Sequence, residues 1–313
     1  MTNMKFLITG CAGFIGSHAL ERVLADGHEA VGVDDFSTGK RENIAASKGR
    51  FELIEGDLCD PAIAQRAVRG VDCILHFASI PSVPRSLDKP VENLHSSVTS
   101  TVTMLDAAVK AGVKRVVQST SSACYGDSAP LYKAEDQLPE PLSPYAVAKL
   151  AQEYYGYAFS ASFGIDCVAL RYFNVFGPRQ DPTSEYSAVI PKFITLMLQG
   201  KHPIIFGDGT QSRDFIYVSN VIDGNIMAAQ YPGSFKGQVF NLACGVRTDI
   251  NELVAKLNNI LETSLEPVYA PQRPGEILHS LADTGKAKRI LEYSPRVDFE
   301  QGLRLTVDSF RKG

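Results

Sequence analysis

Short apolar segments alternate with longer stretches of helical periodicity through the first half of the chain. The apolar runs predict strands at Lys5–Thr9, Glu29–Asp34, Phe51–Glu55, Cys73–His76, Arg115–Ser119 and Asp166–Arg171. The periodic stretches predict helices at Phe14–Asp26, Ile63–Val68, Val91–Ala111 and Pro144–Ser162. Because strands that alternate with helices form right-handed βαβ crossovers, the pattern predicts an α/β fold with a doubly wound parallel sheet.

This alternation stops after Arg171. Loops rich in Gly, Pro and Asp, among them FGPRQDPTSE, FGDGTQSRDF and APQRPGE, separate shorter elements there. Such loops on a rigid scaffold commonly carry binding groups. We therefore predict a Rossmann-type sheet domain and a smaller α/β substrate-binding domain. The first comprises residues 1–173 with a returning segment at about 214–244, and the second comprises 174–213 and 245–313.

Composition narrows the set of partners. The net charge of −4 predicts no basic surface, so nucleic acid is not an expected partner. Six scattered cysteines, without a CxxC pair or a histidine at ligand spacing, indicate free thiols in a reducing compartment and no metal site. No apolar run approaches the roughly 18 residues of a membrane span, and the first residues lack a signal-peptide pattern. We expect a cytoplasmic protein without a membrane partner.

A glycine motif follows the first predicted strand. Gly10, Gly13 and Gly16 stand in the order GxxGxxG at the start of a predicted helix. In dinucleotide-binding folds such glycines allow a tight turn, a close approach of backbone N–H groups to a pyrophosphate, and close helix–strand packing. Glycine spacing alone is weak evidence, because a simple tight turn is an alternative explanation, so the context of the motif matters.

Acidic residues at strand ends supply that context. Asp34, at the end of the second strand, is placed to accept the adenosine ribose hydroxyls and to repel the 2′-phosphate of NADP, and Asp35 beside it strengthens this interpretation. We therefore predict NAD as the cofactor. Asp57, after the third strand, is a candidate for the adenine end, with capping of the next helix as its alternative role. Lys40 and Arg41 are interpreted as solvated loop charges.

A tyrosine and a lysine share one face of the Pro144–Ser162 helix. Tyr145 and Lys149 are four residues apart, so their side chains are neighbours. A phenol with a pKa near 10 is a poor base at neutral pH, and a nearby ammonium favours its phenolate form. Ser121 and Ser122 end the fifth strand at the ligand edge of the sheet, where a hydroxyl can bind the same substrate oxygen. We predict Ser121 as the partner of the tyrosine, with Ser122 as the alternative residue. A purely structural role, in which these serines form hydrogen bonds at the strand end, is the alternative interpretation.

These motifs together resemble the extended short-chain dehydrogenase/reductase family. The resemblance rests on GxxGxxG, Asp34, the serines with SACYGD, YAVAK, and RYFNVFGP from Arg171 to Pro178, and it covers essentially the whole chain. SVPRS, RQDP and AVIPKF most closely resemble UDP-hexose 4-epimerases, in particular the branch that acts on N-acetylated UDP-hexosamines. The stretch Ser97–Thr101 departs from the NVxGT of the family.

The resemblance implies a set of binding residues. For the cofactor they are Gly10, Gly13, Phe14, Ile15, Gly16, Asp34, Asp35, Ser37, Asp57, Leu58, Phe77, Ala78, Tyr145, Lys149 and Tyr172. For the substrate they are Ser82, Ser121, Ser122, Tyr145, Asn174, Val189, Lys192, Arg213, Arg273, Glu276 and Ser280.

Arginines are expected to clamp the pyrophosphate of the substrate. Arg213 and Arg273 lie in two glycine-flanked loops, and their planar guanidinium groups suit phosphate oxygens. A surface ion pair of Arg213 with Asp214, and a plain loop charge at Arg273, are the alternatives. Ser280 occupies the position where a bulky tyrosine in the family restricts the pocket to glucose and galactose, so the resemblance implies room for an N-acetyl group.

The expected reaction is a redox-neutral epimerisation. Tyr145 takes the proton of the sugar 4-OH, the 4-keto sugar turns over, and the epimer forms with tightly bound NAD. The predicted substrate pair is UDP-GlcNAc and UDP-GalNAc. The alternatives are an enzyme that acts only on UDP-glucose and UDP-galactose, a uronate epimerase or decarboxylase, a 4,6-dehydratase, and a non-catalytic regulator that binds NAD and a UDP-sugar. The resemblance also implies a homodimer through a four-helix bundle of the Val91–Ala111 and Pro144–Ser162 helices, although their apolar positions could simply pack on the sheet. A product of this kind would serve polysaccharide biosynthesis.

Overall fold

The computed structural model describes residues 3–47, 49–127, 131–182, 188–272 and 278–312. Its strands, in chain order, are β1 (Lys5–Thr9), β2 (Glu29–Asp34), β3 (Glu52–Glu55), β4 (Cys73–His76), β5 (Arg115–Ser121), β6 (Tyr132–Lys133), β7 (Asp166–Tyr172), β8 (Asn174–Phe176), β9 (Ile204–Phe206), β10 (Ser212–Arg213), β11 (Phe215–Tyr217), β12 (Gln238–Leu242), β13 (Thr248–Asp249), β14 (Val268–Ala270) and β15 (Leu281–Ala282).

The helices cover both faces of the sheet and the region beyond it. They are α1 (Phe14–Ala25), α2 (Pro61–Ala67), α3 (Val83–Asp88), α4 (Pro90–Leu94), α5 (Ser100–Ala111), α6 (Pro144–Phe163), α7 (Val189–Leu198), α8 (Val218–Gln230), α9 (Ile250–Leu261), α10 (Gly285–Leu291) and α11 (Phe299–Lys312). Short 3₁₀ helices at Arg41–Ser47 and Ser122–Tyr125 and a π-helical turn at His95–Thr99 complete the described elements.

Seven strands form one parallel sheet, in the order β12-β7-β5-β4-β1-β2-β3. The predicted Rossmann-type, doubly wound fold is therefore confirmed. The direction in which the chain adds strands reverses between β1 and β4, which creates a crevice at the carboxyl ends of the strands. Ligands bind at such switch points in open α/β sheets.

The sheet is apolar on both faces because helices cover both of them. Alternate residues of β1 belong to opposite cores: Phe6 and Ile8 pack with α1 and α8, whereas Leu7 packs with the α2 and α5 side. Burial on both faces explains the near-continuous apolar runs from which these strands were predicted.

The predicted long helix over Val91–Ala111 is confirmed, because α4, the π-helical turn and α5 follow one another without a break and the residues at their joins have right-handed helical dihedrals. The π-helical turn at its centre was not predicted. Hydroxyls inside the segment compete for helix carbonyls: Ser100 Oγ donates to Ser96 O at 2.7 Å and Thr101 Oγ1 donates to Ser97 O at 2.6 Å. Such bonds locally disturb the regular i to i−4 ladder.

Beyond the sheet, the strands form short two-stranded pairs. These pairs are β6 with β15, β8 with β11, β9 with β14, and β10 with β13. Two of them contain only two residues on each strand, so the backbone ladder alone holds this region weakly. Among the described residues, no helix is long and apolar enough to cross a membrane.

Candidate active site

The glycine turn after β1 is shaped by close backbone contacts. Gly10 has a φ of +66°, and a Cβ on Gly16 would lie 2.0 Å from the Gly10 carbonyl oxygen. Gly13 is the N-cap residue of α1, and no side chain caps the helix there. The free N–H groups of the first turn of α1 are therefore available to an anion. This arrangement suits the pyrophosphate of the predicted dinucleotide.

Asp34 joins the ends of β2 and the glycine turn. One carboxylate oxygen accepts a hydrogen bond from Ala12 N at 2.8 Å and the other accepts one from Phe36 N at 2.9 Å. The side chain is nearly buried, and this burial raises the pKa of Asp34, against the hydrogen bonds from Ala12 and Phe36. Each carboxylate oxygen retains a lone pair, so Asp34 can accept hydrogen bonds from the two hydroxyls of an adenosine ribose.

The loop charges behind Asp34 make protein contacts. Ser37 donates to Asp35 Oδ1 from its amide and its hydroxyl. Arg41 binds Glu55 at 2.7 Å and stacks over the Phe36 ring at 4.0 Å, and Lys40 lies 3.4 Å from Asp181.

Around Asp57, where the adenine end of the cofactor is predicted to lie, the structure has more side-chain interactions than the sequence suggested. Asp57 Oδ1 accepts a bond from Cys59 N, whereas Asp60 caps α2 by accepting from Ala62 N. The alternative role of Asp57 as the cap of that helix is therefore wrong. The side chain of Leu58 lies in the core on the α2 side of the sheet.

Three side chains near the predicted adenine end have the types and spacing of metal ligands. The side chains of Asp57, Cys59 and His95 place their ligand atoms within 4.8 Å of one another. The sequence did not indicate this group, because the fold alone brings His95 to the other two residues. The Cys59 thiol donates to the His95 carbonyl oxygen at 3.2 Å, and burial raises the pKa of the thiol to about 12, with a contribution from Asp57. The thiol is thus held in its protonated form.

A buried histidine ties down the turn after β4. The amides of Phe77 and Ala78 both donate to Thr9 Oγ1, so the Thr9 hydroxyl proton is directed to His76 Nδ1 at 2.8 Å. His76 Nε2 then donates to Thr101 Oγ1 at 2.9 Å. Burial lowers the pKa of His76 to about 3, with the charge of Lys149 as a second cause. The neutral tautomer thus holds the two predicted cofactor residues in place.

This network continues into the helix that carries the tyrosine. Gln152 Nε2 donates to Thr101 Oγ1 at 2.6 Å and to Ser97 O at 3.3 Å. The backbone carbonyl oxygen of Gln152 accepts a hydrogen bond from Gln118 Nε2. The sequence analysis named Ser97 and Thr101 only as part of a departure from the family pattern and identified neither Gln118 nor Gln152. A run of buried polar positions on three separate elements gives no periodic signal.

Helix α6 begins at a capped, preorganised end. Ser143 Oγ accepts from Ala146 N, Pro144 occupies the first turn, and Tyr145 N donates to Ser86 Oγ at 3.1 Å. These contacts fix the backbone from which the Tyr145 side chain extends into a cavity.

Tyr145 and Ser121 meet at the carboxyl end of β5, as predicted. Burial raises the pKa of Tyr145 to about 12, and a hydrogen bond with Ser121 acts in the opposite direction. Both residues line the same cavity, together with Ser122. Ser121 Oγ also accepts from Ala123 N at 3.1 Å, which is the strand-end hydrogen bond given above as the alternative role of this residue. That bond does not prevent the hydroxyl from donating to a substrate oxygen, which is its predicted role.

Lys149 is buried beside the tyrosine. Its Nζ donates to Ser79 Oγ at 2.9 Å and to Ser119 O at 3.0 Å, and it lies 5.9 Å from the centre of the Tyr145 ring. Burial lowers the pKa of Lys149 to about 8, and Glu153 is among the groups that oppose this effect. A positive charge at this distance favours the phenolate form of Tyr145.

A buried ion pair fastens α6 to the sheet one turn further along. Glu153 and Arg171 are 4% and 3% exposed and make two hydrogen bonds, of 2.9 and 2.6 Å. The Arg171 guanidinium also stacks on the Tyr125 ring at 4.5 Å. A bidentate pair of this kind fixes the orientation of α6 relative to β7.

Two neighbouring cavities lie at this edge of the molecule, and Tyr145 lines the first of them. The first, of about 400 Å³, is lined by Tyr145, the two serines, Ser280 and Tyr172. The second, of about 600 Å³, is lined by Val189 and Lys192 of α7. Asn174 and Arg213 line both cavities, so they lie where the two meet. The structure therefore brings most of the predicted substrate residues into one continuous region.

Arg213 is held by backbone carbonyls at this junction. Its Nη1 donates to the carbonyl oxygens of Ser212 and Leu278 at 2.9 and 3.1 Å. Asp214 is fully buried and accepts from the amides of Cys244 and Gly245, so the alternative of a surface ion pair between these neighbours is wrong. Arg273 and Glu276 lie outside the described residues.

The remaining predicted residues have mixed positions. Ser82 caps α3 by accepting from Arg85 N, and Val83 rather than Ser82 lines the cavity of Tyr145. Tyr172 donates its hydroxyl to Asn225 Oδ1 at 2.9 Å. Phe14 and Ile15, at the start of α1, pack against the core. Cavity residues that the sequence analysis missed are Val83, Ala123, Gly126, Lys133 and Phe173.

Comparison with known proteins extends these observations. Residues 6–243 match the NAD dependent epimerase/dehydratase family. A protein named UDP-glucose 4-epimerase, from Mycolicibacterium smegmatis, is 36% identical over 312 residues, which span 98% of this chain and 99% of that relative.

Solved structures are similar over the same length. A UDP-N-acetylglucosamine 4-epimerase from Methanobrevibacter ruminantium, in complex with UDP-N-acetylmuramic acid, is 38% identical with a TM-score of 0.95, covering 100% of this chain and 99% of that one. A UDP-glucuronic acid 4-epimerase from Bacillus cereus, in complex with UDP-glucuronic acid and NAD, is 33% identical with a TM-score of 0.91, covering 99% of each chain.

Proposed function

This chain belongs to the NAD dependent epimerase/dehydratase family, and from that premise we propose that it interconverts UDP-GlcNAc and UDP-GalNAc by epimerisation at C4. The enzyme is an isomerase that uses NAD and a UDP-sugar, as its relatives do. The observation that carries the choice of substrate is the cavity itself, in which Tyr145 and Ser121 share the lining with a small residue, Ser280.

The cofactor is proposed to bind along the carboxyl edge of the sheet. The N-terminus of α1 receives the pyrophosphate, Asp34 receives the adenosine ribose, and Lys149 faces the nicotinamide ribose. The absence of a side-chain cap on α1 and the glycine cradle support this placement. When bound there, NAD would supply the acceptor and later the donor of the hydride of C4.

The residues of the chain manage the proton and the position of the sugar. Tyr145 removes the proton of the 4-OH and later returns it to the 4-keto oxygen. Ser121 holds that oxygen by a hydrogen bond. Lys149 stabilises the phenolate form of Tyr145. This help is needed because burial raises the pKa of Tyr145 in the protein without ligands and so favours the protonated phenol. No net oxidation occurs over the cycle.

The nucleotide is proposed to bind in the cavity beside α7. Val189 and Lys192 line the uridine end, while Asn174 and Arg213 bind the diphosphate between the two cavities. Their position at the junction supports these roles. This arrangement supports the proposed division into a sheet domain and a substrate-binding domain, at the boundaries predicted from the sequence.

We also propose that the enzyme is a homodimer. Large apolar side chains are exposed on the neighbouring helices α4 and α6, including Val91 at 78%, Tyr154 at 59% and Val147 at 53%. A patch of this kind on two adjacent helices suits a two-fold four-helix bundle. Light scattering should give twice the monomer mass, and Val91→Glu with Val147→Glu should give the monomer mass.

The test of the activity is a time course without added NAD. The purified protein is incubated in parallel with UDP-GlcNAc, UDP-glucose and UDP-glucuronate, and products are followed by NMR. The expected result is conversion of UDP-GlcNAc to UDP-GalNAc at constant mass. Turnover of UDP-glucose alone, or of UDP-glucuronate alone, would refute the proposed substrate, and loss of CO₂ would identify a decarboxylase.

A further inference from the structure

Asp214 lies in the core, directly after one of the residues proposed to bind the diphosphate. Its side chain is fully buried, with 0% of its surface exposed. Burial raises the pKa of Asp214 to about 6, against the hydrogen bonds that it accepts from backbone amides. The group is therefore ionised at neutral pH, although the mechanism gives it no role. A buried carboxylate is costly unless hydrogen bonds satisfy it, so its partners show what it holds together.

The carboxylate binds the amides of two separate segments. Oδ1 accepts from Cys244 N at 2.9 Å, and Oδ2 accepts from Gly245 N at 2.9 Å. Oδ2 also accepts, at 3.3 Å, from the N–H of Ala282, which is the last residue of β15. One side chain thus joins the segment after β12 to the strand that begins directly after Ser280.

The backbone carbonyl oxygen of Asp214 holds a third segment. It accepts from the backbone N–H and from the side-chain amide of Asn174, at 3.1 and 3.2 Å. Asn174 lines both cavities at their junction, where the diphosphate is proposed to bind. The main chain of Asp214 therefore orients a side chain of the proposed diphosphate site.

A parallel ladder explains why the carboxylate is needed. Ser212 N donates to Leu278 O at 2.9 Å, and Ser280 N donates to Ser212 O at 3.1 Å. In a regular parallel ladder the next bond would run from Ala282 N to the carbonyl oxygen of Asp214. The two lone pairs of that oxygen already accept the two bonds from β8, and the carboxylate binds Ala282 N in its place.

Arg213 lies on the same ladder. Its Nη1 donates to the carbonyl oxygens of Ser212 and Leu278, which both belong to this ladder. The position of the guanidinium therefore depends on the register of its segment against residues 278–282. Asp214 fixes this register, because its carboxylate makes the bond of the ladder to Ala282.

We propose that Asp214 is the positioning residue of the diphosphate site: its carboxylate and its carbonyl oxygen together hold Asn174 and Arg213 in the geometry that binds the diphosphate of the substrate. The proposal rests on the diphosphate site of the proposed function and adds the residue that aligns its two binding groups. Because the diphosphate is bound in the ground state and in the transition state alike, this alignment contributes to KM more than to kcat.

The test removes the acceptors of Asp214 in two steps. Asp214→Asn turns one acceptor oxygen into an NH₂ group, which cannot accept from the amide that faces it, and Asp214→Ala removes both acceptors. Asp308→Asn, at an exposed site on α11, is the matched control. Calorimetry measures the affinity for UDP, and the absorbance of released NAD measures bound cofactor. Steady-state rates give kcat and KM for the UDP-sugar that the wild-type protein turns over.

The expected result is a loss of binding at this site alone. Asp214→Asn should lower the affinity for UDP and raise KM by roughly tenfold to a hundredfold, which is the effect of a displaced binding group. The value of kcat should change far less, the NAD content should not change, and Asp214→Ala should cause the larger loss. Hydrogen exchange followed by mass spectrometry should be faster in residues 243–246 and 280–283 and unchanged in α1 and α6.

Other outcomes would overturn the assignment. An unchanged affinity for UDP, or a loss confined to kcat, would show that Asp214 does not position the diphosphate groups. Loss of bound NAD from Asp214→Asn, or faster exchange throughout the chain, would show that the carboxylate serves the whole fold and not this site.

Two further variants separate this proposal from the proposed function. Arg213→Ala and Asn174→Ala remove the groups that Asp214 is proposed to align. If both lower the affinity for UDP and Asp214→Asn does not, the diphosphate site stands and the positioning role fails. If neither lowers it, the diphosphate site is wrong and the positioning role fails with it. Calorimetry with UDP needs no turnover, so neither result depends on which sugar the enzyme epimerises.

Discussion

The two halves of the molecule hold their functional residues by different means. In the sheet half, Tyr145 and Lys149 extend from a long capped helix, and β5 beneath it pairs with β7 along seven residues. In the other half, Lys133 belongs to a ladder of two residues per strand, and Ser280 lies directly before the second strand of that ladder. The residues proposed to act on every substrate thus stand on the sheet half, and the residue proposed to distinguish substrates, Ser280, stands beside a short ladder, where one side chain can change without disturbing the sheet.

The difference extends to buried polar contacts. The sheet half contains the chain of hydrogen bonds from Thr9 through His76 and Thr101 to Gln152, and the Glu153–Arg171 ion pair. These contacts cross from strand to helix and fix side chains as well as backbone. We therefore expect changes in the sheet half to affect all substrates alike, and changes in the substrate half to alter the ratios between them.

The largest expected effect is at Tyr145. Tyr145→Phe should lower turnover of every UDP-sugar by at least about 10²-fold, because it removes the general base while leaving the fold and the bound NAD intact. Steady-state rates, circular dichroism and the absorbance of NAD released on denaturation measure the three quantities. Tyr154→Phe, on the exposed face of the same helix, is the matched control. Retention of more than about a tenth of the wild-type rate would exclude Tyr145 as the base.

A change in the glycine turn should act on the cofactor first. In Gly16→Ala the new Cβ would lie 2.0 Å from the Gly10 carbonyl oxygen, so α1 must shift away from β1 and the pyrophosphate site opens. We expect loss of co-purifying NAD and of activity with all substrates. Gly13→Ala, whose Cβ would lie 3.2 Å from the same oxygen, should have a smaller effect. Equal NAD content in the two variants would contradict this interpretation.

A change in the substrate half should separate substrates. Ser280→Tyr should reduce kcat/KM for UDP-GlcNAc by roughly tenfold to a hundredfold relative to UDP-glucose, since the larger side chain fills the space for the acetamido group. The measurement is the ratio of the two kcat/KM values, with bound NAD as the check on the sheet half. Parallel losses with both sugars would show that this residue does not discriminate between them.

The smallest expected effect is on stability at acid pH. The pKa of His76 in the folded protein is about 3, below its ordinary 6.5, so the unfolded chain binds a proton more readily between these values. Stability from this group is present above pH 6.5 and is lost as the pH falls toward 3, by up to about 1.4 kcal/mol per pH unit. Asp214, whose pKa is raised to about 6, acts in the opposite direction between its ordinary 3.8 and 6.

The comparison with a variant isolates the histidine. His76→Gln keeps a donor and an acceptor and removes the titration, so its stability should fall less steeply between pH 6.5 and 5. Urea unfolding at several pH values measures the two slopes. Identical slopes would show that His76 does not titrate in this way, and an unchanged variant at pH 7 would show that its hydrogen bonds contribute little.

Local patterns account for the features that the sequence predicted well. The strands of the sheet and the helices α1 and α6 follow from apolar periodicity and from caps such as Ser143 and Gly164. The glycine turn and the Tyr145–Lys149 pair are set by spacing within a few residues, and the strand order then places them at one edge.

Other features depended on contacts between distant segments. The π-helical turn inside the predicted long helix coincides with a hydrogen bond from the distant Gln152 to Ser97 O as well as with hydroxyls in its own sequence. Lys133 and Ser280 line one cavity with Tyr145 because β6 pairs with β15 far along the chain. Asp214 looks like the partner of Arg213 in sequence but lies in the core.

By itself, the sequence determined the fold class, the glycine turn and the side-by-side placement of Tyr145 and Lys149, because periodicity, glycine conformation and helix geometry act over neighbouring residues. The tertiary structure alone decided which polar groups are buried together. His76, Glu153 and Arg171 acquire their partners, and His76 its lowered pKa, from burial, and burial depends on the packing of segments that the sequence keeps far apart.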